Sequence, residues 1–317
     1  MTNEMTNKIK DLENKVLSSV SNYTKDPKEV LQLLDFCDKF SNYSFNNQVL
    51  ILAQRSSAIA VASFTTFKKL GYHVLKGEKA IKILVPYKSR YIVYNHKYLT
   101  VKEAKKQNIA FDDDDIQEHL FFNWGSVFEV TQTDMPKEEY PKLYPNRHQD
   151  YVVNDENSDI LFHALQKIAS EKNIKVITDR ENEAMLNGAL GVFIPSQNKI
   201  CLSYKNTPSE MVDVLIHELA HGFLHNTKGK FYDVSYNMKE LQAEMTAFIV
   251  AKHCGIDTTD KTISYISGWT EQGKLFFNLD DKEKANLLNG ISNVSKHFIK
   301  VIDDALQNND NNVEQAL

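Results

Sequence analysis

VLIHELAHGFLH, residues 214–225, decides how the C-terminal half of this chain is read. The stretch is apolar except at His217, Glu218, His221 and His225. On a helix, residues four apart share a face, so His217 and His221 project together and both imidazoles reach one divalent ion. Glu218 then neighbours the ion without binding it. From there it can take a proton from a metal-bound water and pass it to a leaving amine. This chemistry requires a helix, and the segment carries its own start signal. Thr207 serves as N-cap, Pro208 occupies the first helical position, and Glu210 closes a capping box. The bland alternative is two core histidines beside a paired glutamate. It leaves three costly polar groups in one apolar helix without a task.

A zinc ion held this way needs a third protein ligand. A metzincin would place a third histidine at position 227, which is Thr227. The better source is the next helix, MKELQAEMTAFIVAKHCG (238–255), where Glu240 and Glu244 lie four residues apart. With Asn237 as N-cap, Glu240 falls at the third helical position and has a capping task. That leaves Glu244, one turn deeper, as the expected third ligand, with Glu240 as the alternative and a second metal held by both carboxylates as the remaining reading. His225 reads first as a partly buried histidine at the helix end, and otherwise as a hydrogen-bond donor to the site. His253 and Cys254 close the second helix, where a histidine suits the helix dipole. Tyr232, Tyr236 and Tyr265 are unranked candidates for stabilising an oxyanion.

Outward from this centre the chain reads as an α+β protein of two domains. Helical patterning covers 6–55. β-rich runs (VASF, YHVL, AIKILVPY, RYIVY) follow between 60 and 98, with turns expected at KGEK (76–79) and at Asn95-His96. A charge-rich insert, 102–119, contains Asp112 to Asp115, expected to be a solvated loop. FNWGSVFEVTQT (122–133) reads as the last strand of the first domain. The expected boundaries are 1–140 for that domain, 141–156 for a linker, 157–307 for the second domain, and 308–317 for a polar, disordered tail. The second domain should open with a helix over 158–172. Strand IKVIT, a hairpin of ALGVFIP and KICLS, helices near 208–226 and 238–254, and further helices to about 306 follow.

The formal net charge of −5 excludes a uniformly basic nucleic-acid binder. Between Arg55 and Lys106, however, there are twelve lysines and arginines against two acids, Glu78 and Glu103. Phe64, Phe67, Tyr72, Tyr87, Tyr91, Tyr94 and Tyr98 interleave with them. Cationic grooves with stacking rings are what single-stranded nucleic acid binding needs. A solvated face over an ordinary aromatic core is the equal alternative. Candidate phosphate contacts are Lys68, Lys69, Lys76, Lys79 and Lys82, with Tyr43 and Phe67 as candidate stacking rings. Three scattered cysteines, no apolar leader and no run long enough to span a membrane give the expectation of a cytoplasmic protein.

FSNYSFNNQVLILAQ (40–54), FTTFKKLGYHVLKGEKAIKILVPY (64–87) and VFEVTQT (127–133) resemble the N-terminal domain of ArdC-type antirestriction proteins and their LtrC-like relatives. LIHELAHGFLH, KELQAEMTAFIVAKHCGI and ISYISGW resemble the zincin-like domain of the same proteins and, more loosely, the ImmA/IrrE metallopeptidases. The resemblance implies a single-stranded-DNA-binding domain joined to a zinc metallopeptidase-like domain, encoded on mobile elements and protecting incoming DNA from restriction. Its metal histidines and base map onto His217, His221 and Glu218, and its downstream glutamate onto Glu244. The insert from Lys88 to His119 is longer than the family pattern. Two other functions compete: a regulatory protease that cuts a repressor, and a non-catalytic DNA-binding module with structural zinc. The protein substrate is not encoded in any motif.

Overall fold

The computed structural model describes residues 14–95, 97–143, 155–178, 180–186, 188–226, 231–268 and 274–316. Helix α1 covers residues 14–22; α2 (Pro27–Lys39) and α3 (Phe45–Gln54) follow. The chain forms two compact units. The first comprises the described residues up to Ser19 with Val49–Tyr140, and the second comprises Val20–Gln48 with Pro141–Leu317. The segment 20–48, read from sequence as part of the first domain, thus clusters with the second. The apolar face of α2, including Val30, Leu33, Leu34, Phe36 and Cys37, is buried there. An amphipathic face dictates burial and not the partner that provides it.

In the first unit, β1 (Val61–Ala62), β2 (Ile81–Tyr94), β3 (Lys97–Thr100) and β4 (Gln117–Glu129) form a sheet in the order β1-β4-β2-β3. Helices α4 (Phe64–Lys69) and α5 (Val101–Lys106) flank the strands in sequence. AIKILVPY and RYIVY are one fourteen-residue strand. It pairs antiparallel with β4 from Ile81↔Val127 to Tyr91↔Gln117. Pro86 is tolerated because β2 has a neighbour on one side only at that point. Asn95, at φ 49, makes the expected turn into β3. YHVL forms no strand; Val74 makes an isolated bridge to Thr133 instead. The start of the insert is helical, with a Thr100–Glu103 capping box on α5, and the aspartates form a short 3-10 turn over Asp113–Asp115. VFEVTQT is a structural corner. Glu129, nearly fully buried, receives the backbone N–H groups of Ile59 and Thr131 and lies 3.4 Å from Arg55 Nε.

The second unit continues with α6 (Asp155–Glu171), β5 (Lys175–Ile177), α7 (Glu183–Leu186), β6 (Gly191–Ile194) and β7 (Lys199–Leu202). Its helical end is α8 (Pro208–Leu224), α9 (Tyr236–His253), α10 (Thr259–Gly268), α11 (Lys274–Phe277) and α12 (Asp281–Ala316). The sheet order is β5-β7-β6, with β5 parallel and β6 antiparallel to β7, so β6 is an edge strand. Leu161, Leu165 and Ile168 of α6, Leu215, Ile216 and Leu219 of α8, Leu241, Met245 and Phe248 of α9, and Phe298 and Ile302 of α12 are all buried. Helix α12 runs on to Ala316, so the segment read as a disordered tail is helical through that residue. Most of the proposed linker, 144–154, lies outside the described residues. Among the described residues no helix is long and apolar enough to cross a membrane, and Cys37, Cys201 and Cys254 are free and buried.

Candidate metal centre

Helix α8 begins as its sequence dictates. Thr207 is the N-cap, Pro208 opens the helix, and Glu210 accepts the Thr207 N–H at 2.8 Å while the Glu210 N–H points back to Thr207 Oγ1. Two turns on, His217 and His221 bring their Nε2 atoms to 3.2 Å of each other. Such an approach of two ring nitrogens marks a point where both lone pairs converge.

The carboxylate brought to that point is Glu240. Its oxygens lie 3.6 Å from His217 Nε2 and 3.4 Å from His221 Nε2. One ligand atom from each of these three residues falls within 4.8 Å of the others. Glu244, the residue expected to take this place, sits on the other side of the ring, 3.4 Å from His217 Nδ1. The difference arises at the start of α9. Its N-cap is Ser235, which accepts the Met238 N–H, and not Asn237. Glu240 is thereby carried past the capping turn and faces α8.

Each histidine is held from behind, and the holding atoms differ. His217 Nδ1 faces Glu244, which also accepts the Thr262 hydroxyl at 2.8 Å and lies 3.6 Å from Lys261 Nζ. His221 Nδ1 lies 3.1 Å from His225 Nδ1, and His225 Nε2 lies 3.1 Å from Gln242 Oε1. Because an amide oxygen only accepts, His225 donates from Nε2 and its Nδ1 is left to accept from His221. With Nδ1 turned to these partners, both site imidazoles would present the Nε2 lone pair to a bound metal, the arrangement that a metal-ligating histidine adopts. His225 is therefore a supporting residue of the site. Gln242, fully buried on α9, had no sequence signal, because its role depends on how two helices pack.

The electrostatics fit a cation. Burial opposes protonation of His217, but Glu240, Glu244 and Glu218 outweigh it and raise the imidazole to about 10. Glu244 is held below the usual carboxylate range, since His217, Lys261 and Thr262 outweigh its own burial. Burial, reinforced by His221, pushes His225 down to about 3, so it is neutral beside its neighbour. Three carboxylates, Glu218, Glu240 and Glu244, act on the His217 imidazole. The donor set and its charge match a divalent ion bound by two nitrogens and one oxygen.

Glu218 is buried and is fixed by the edge strand: the Phe193 N–H donates to its Oε2 at 2.6 Å. The close approach of β6 to α8 needs a glycine at 191. A Cβ there would stand 2.4 Å from Val214 Cγ1 and 3.0 Å from Leu202 Cδ2. Gly191→Ala is expected to push strand and helix apart, at about 1–3 kcal/mol of stability. It should also weaken metal retention, because Glu218 and His217 ride on the displaced turn. Urea unfolding and a metal titration of the same variant check both effects.

The other sequence-derived site residues are dispersed. Tyr232 and Tyr236 are exposed, and the Tyr265 side chain lies outside the described residues. In the first unit Lys68, Lys69, Lys76, Lys79 and Lys82 are all exposed. Phe67 is fully buried, so its ring is unavailable for stacking. Tyr43 is half-buried against Phe40 and belongs to the second unit, not to the lysine-bearing one. The packing of α4 that turned Phe67 inward is not fixed by composition.

Comparison with known proteins finds two matching domains along the chain. Residues 1–128 match the N-terminal domain of the anti-restriction factor ArdC, and residues 164–274 match a zincin-like metallopeptidase domain. An uncharacterized protein of Bacillus anthracis is 33% identical over 307 residues, covering 93% of this chain and 51% of that protein. The chain thus spans about half the length of this curated relative. The manganese(II)-bound crystal structure of the antirestriction protein ArdC from plasmid R388 shares the fold with a TM-score of 0.50 at 15% identity, covering 91% of this chain and 97% of that one. Its metal-free counterpart aligns with a TM-score of 0.40 at 16% identity, over 78% and 84% of the two chains.

Proposed function

Since the chain joins an ArdC-type antirestriction N-terminal domain to a zincin-like metallopeptidase domain, we propose that it binds single-stranded DNA entering a cell and carries a zinc-dependent peptidase centre that acts against host defence. The observation that carries the peptidase reading is the convergence of His217, His221 and Glu240 beside a buried Glu218. Three protein ligands leave a coordination place for water, whereas structural zinc sites fill all four. The manganese(II) found in the R388 protein supports a divalent ion of this kind. In this reading His217, His221 and Glu240 hold zinc, and Glu244 and His225 orient the two imidazoles. The free cysteines suit a reducing cytoplasm.

A bound zinc ion would supply Lewis acidity and a water ligand of lowered pKa. The chain supplies the rest. Phe193 N–H occupies Glu218 Oε2, leaving Oε1 to take the proton of the attacking water. Glu218 then delivers that proton to the nitrogen of the departing amine, so the carboxylate is regenerated. Among the described residues β6, beside Glu218, pairs with a strand on one side only, and in this reading an extended peptide lies along its other side.

Glu218→Gln tests this reading. The variant is expected to retain bound metal and single-stranded DNA affinity while hydrolysis of an unfolded protein such as casein falls about a hundredfold to ten-thousandfold. Protection of transferred DNA should fall with it in a conjugation assay. Full protection by the variant would remove peptide hydrolysis from the function and leave the metal a structural task.

A further inference from the structure

Beyond Ile83 and Gly125, β2 and β4 continue as a two-stranded ribbon whose register assigns every side chain to one of two faces. Directly opposed residues share a face, and faces alternate along each strand. One face carries Lys82 opposite Ser126, Leu84 opposite Trp124, Pro86 opposite Phe122, Lys88 opposite Leu120 and Arg90 opposite Glu118. The contacts agree with this assignment: Lys82 Nζ donates to Ser126 Oγ at 2.8 Å, and Lys88 and Arg90 both reach Glu118. Leu84 is buried, but exposure rises outward along β4, from 36% at Trp124 to 50% at Phe122 and 51% at Leu120. Three large apolar side chains in a row on water are unusual for a face with no partner. Lys82, Lys88 and Arg90 stand on the same face, and Lys15 Nζ lies 5.0 Å above the Trp124 ring. The opposite face over this stretch, with Val85, Tyr87 and Ser89, presents no lysine or arginine from β2 or β4.

We infer that the face bearing Leu120, Phe122 and Trp124 is a base-insertion ladder for single-stranded DNA, with Lys82, Lys88 and Arg90 placed to neutralise the phosphates. The inference rests on the proposed single-stranded DNA binding and specifies where and how it occurs. Alternate residues of a strand are separated by about 6.8 Å. That is twice the roughly 3.4 Å of a base stack, so one unpaired base fits between Trp124 and Phe122 and a second between Phe122 and Leu120. Bases of a duplex are already stacked on each other and cannot enter. The cations beside the rings select a polyanion over an apolar peptide. These residues replace Phe67 and Tyr43 as the stacking groups.

The test uses the full-length protein and a fluorescein-labelled oligothymidylate, with a blunt hairpin duplex of equal length as control. Phe122→Ala combined with Trp124→Ala should weaken oligothymidylate binding about tenfold to a hundredfold and leave the salt dependence unchanged, because phosphate contacts set the slope. Trp124→Phe should bind within about threefold of the parent, since a ring of similar shape remains. In a Trp269→Phe background, which leaves Trp124 as the sole tryptophan, fluorescence should be quenched by the oligonucleotide and not by the duplex. Unchanged affinity of the double alanine variant, equal quenching by the duplex, or equal losses for Trp124→Phe and Trp124→Ala would each overturn the ladder. If the parent protein itself shows no oligothymidylate affinity at low salt, the underlying DNA-binding reading fails first.

Discussion

Replacing Glu240 with alanine is expected to cost the protein its metal, whereas Glu244→Gln should only loosen it. Structural zinc sites bind with roughly 10–16 kcal/mol from four ligands, so one ligand is worth about 3–4 kcal/mol, or on the order of a hundredfold to a thousandfold in affinity. Glu240 is the carboxylate facing both Nε2 atoms, so Glu240→Ala should show the full loss. Glu244 touches the Nδ1 side of His217, and removing such an orienting partner costs about tenfold to a hundredfold. Glutamine at 244 keeps an acceptor oxygen, so its effect should lie at the lower end. His217→Ala and His221→Ala should match Glu240→Ala. Competition with a chromogenic zinc chelator at fixed pH ranks all four. The reverse order, with Glu244→Gln losing more than Glu240→Ala, would return the ligand role to Glu244.

The second large effect lies away from the metal, at His253. Its Nδ1 is 2.9 Å from Asp38 Oδ1 and its Nε2 is 2.8 Å from Asp303 Oδ1, so one imidazolium ties α9 to α2 and α12. Burial opposes the charge, but the two aspartates outweigh it and raise His253 to about 9. The folded value lies above the ordinary 6.5, so the contribution is fully present below about pH 6.5 and is lost as pH rises through about 9. The expected loss across that window is roughly 3 kcal/mol. Urea midpoints measured at pH 6, 7.5 and 9.5 should therefore fall in that order, and the fall should disappear in His253→Ala. That substitution should also destabilise at pH 6 by about 3–5 kcal/mol, because it leaves Asp38 and Asp303 facing each other without a cation. Adding Asp38→Asn and Asp303→Asn to His253→Ala should recover much of the loss. A pH-independent midpoint in the parent protein would show that the clamp does not carry a proton.

What the sequence alone determined is local. The Thr207 cap, Pro208 and the apolar run fixed a helix, and a period of 3.6 placed His217 and His221 on one face of it whatever the rest of the chain did. The β6–β7 hairpin and the turn at Asn95 were legible for the same reason: each depends on residues close together in sequence. Tertiary structure decided everything that depends on one element's position against another. Glu240 and Glu244 differ by one helical turn, about 5.4 Å, and only the axial register of α9 against α8 chose which carboxylate faces the Nε2 atoms. Whether an aromatic of the first unit points inward like Phe67 or outward like Trp124 followed from strand register and helix packing. The same holds for α2, whose apolar stripe demanded burial while its surroundings selected α9 and α12 through a single histidine. Hydrophobic burial is non-directional, so it fixes which side chains leave water, whereas the partners are fixed by shape and charge that assemble only in the folded chain.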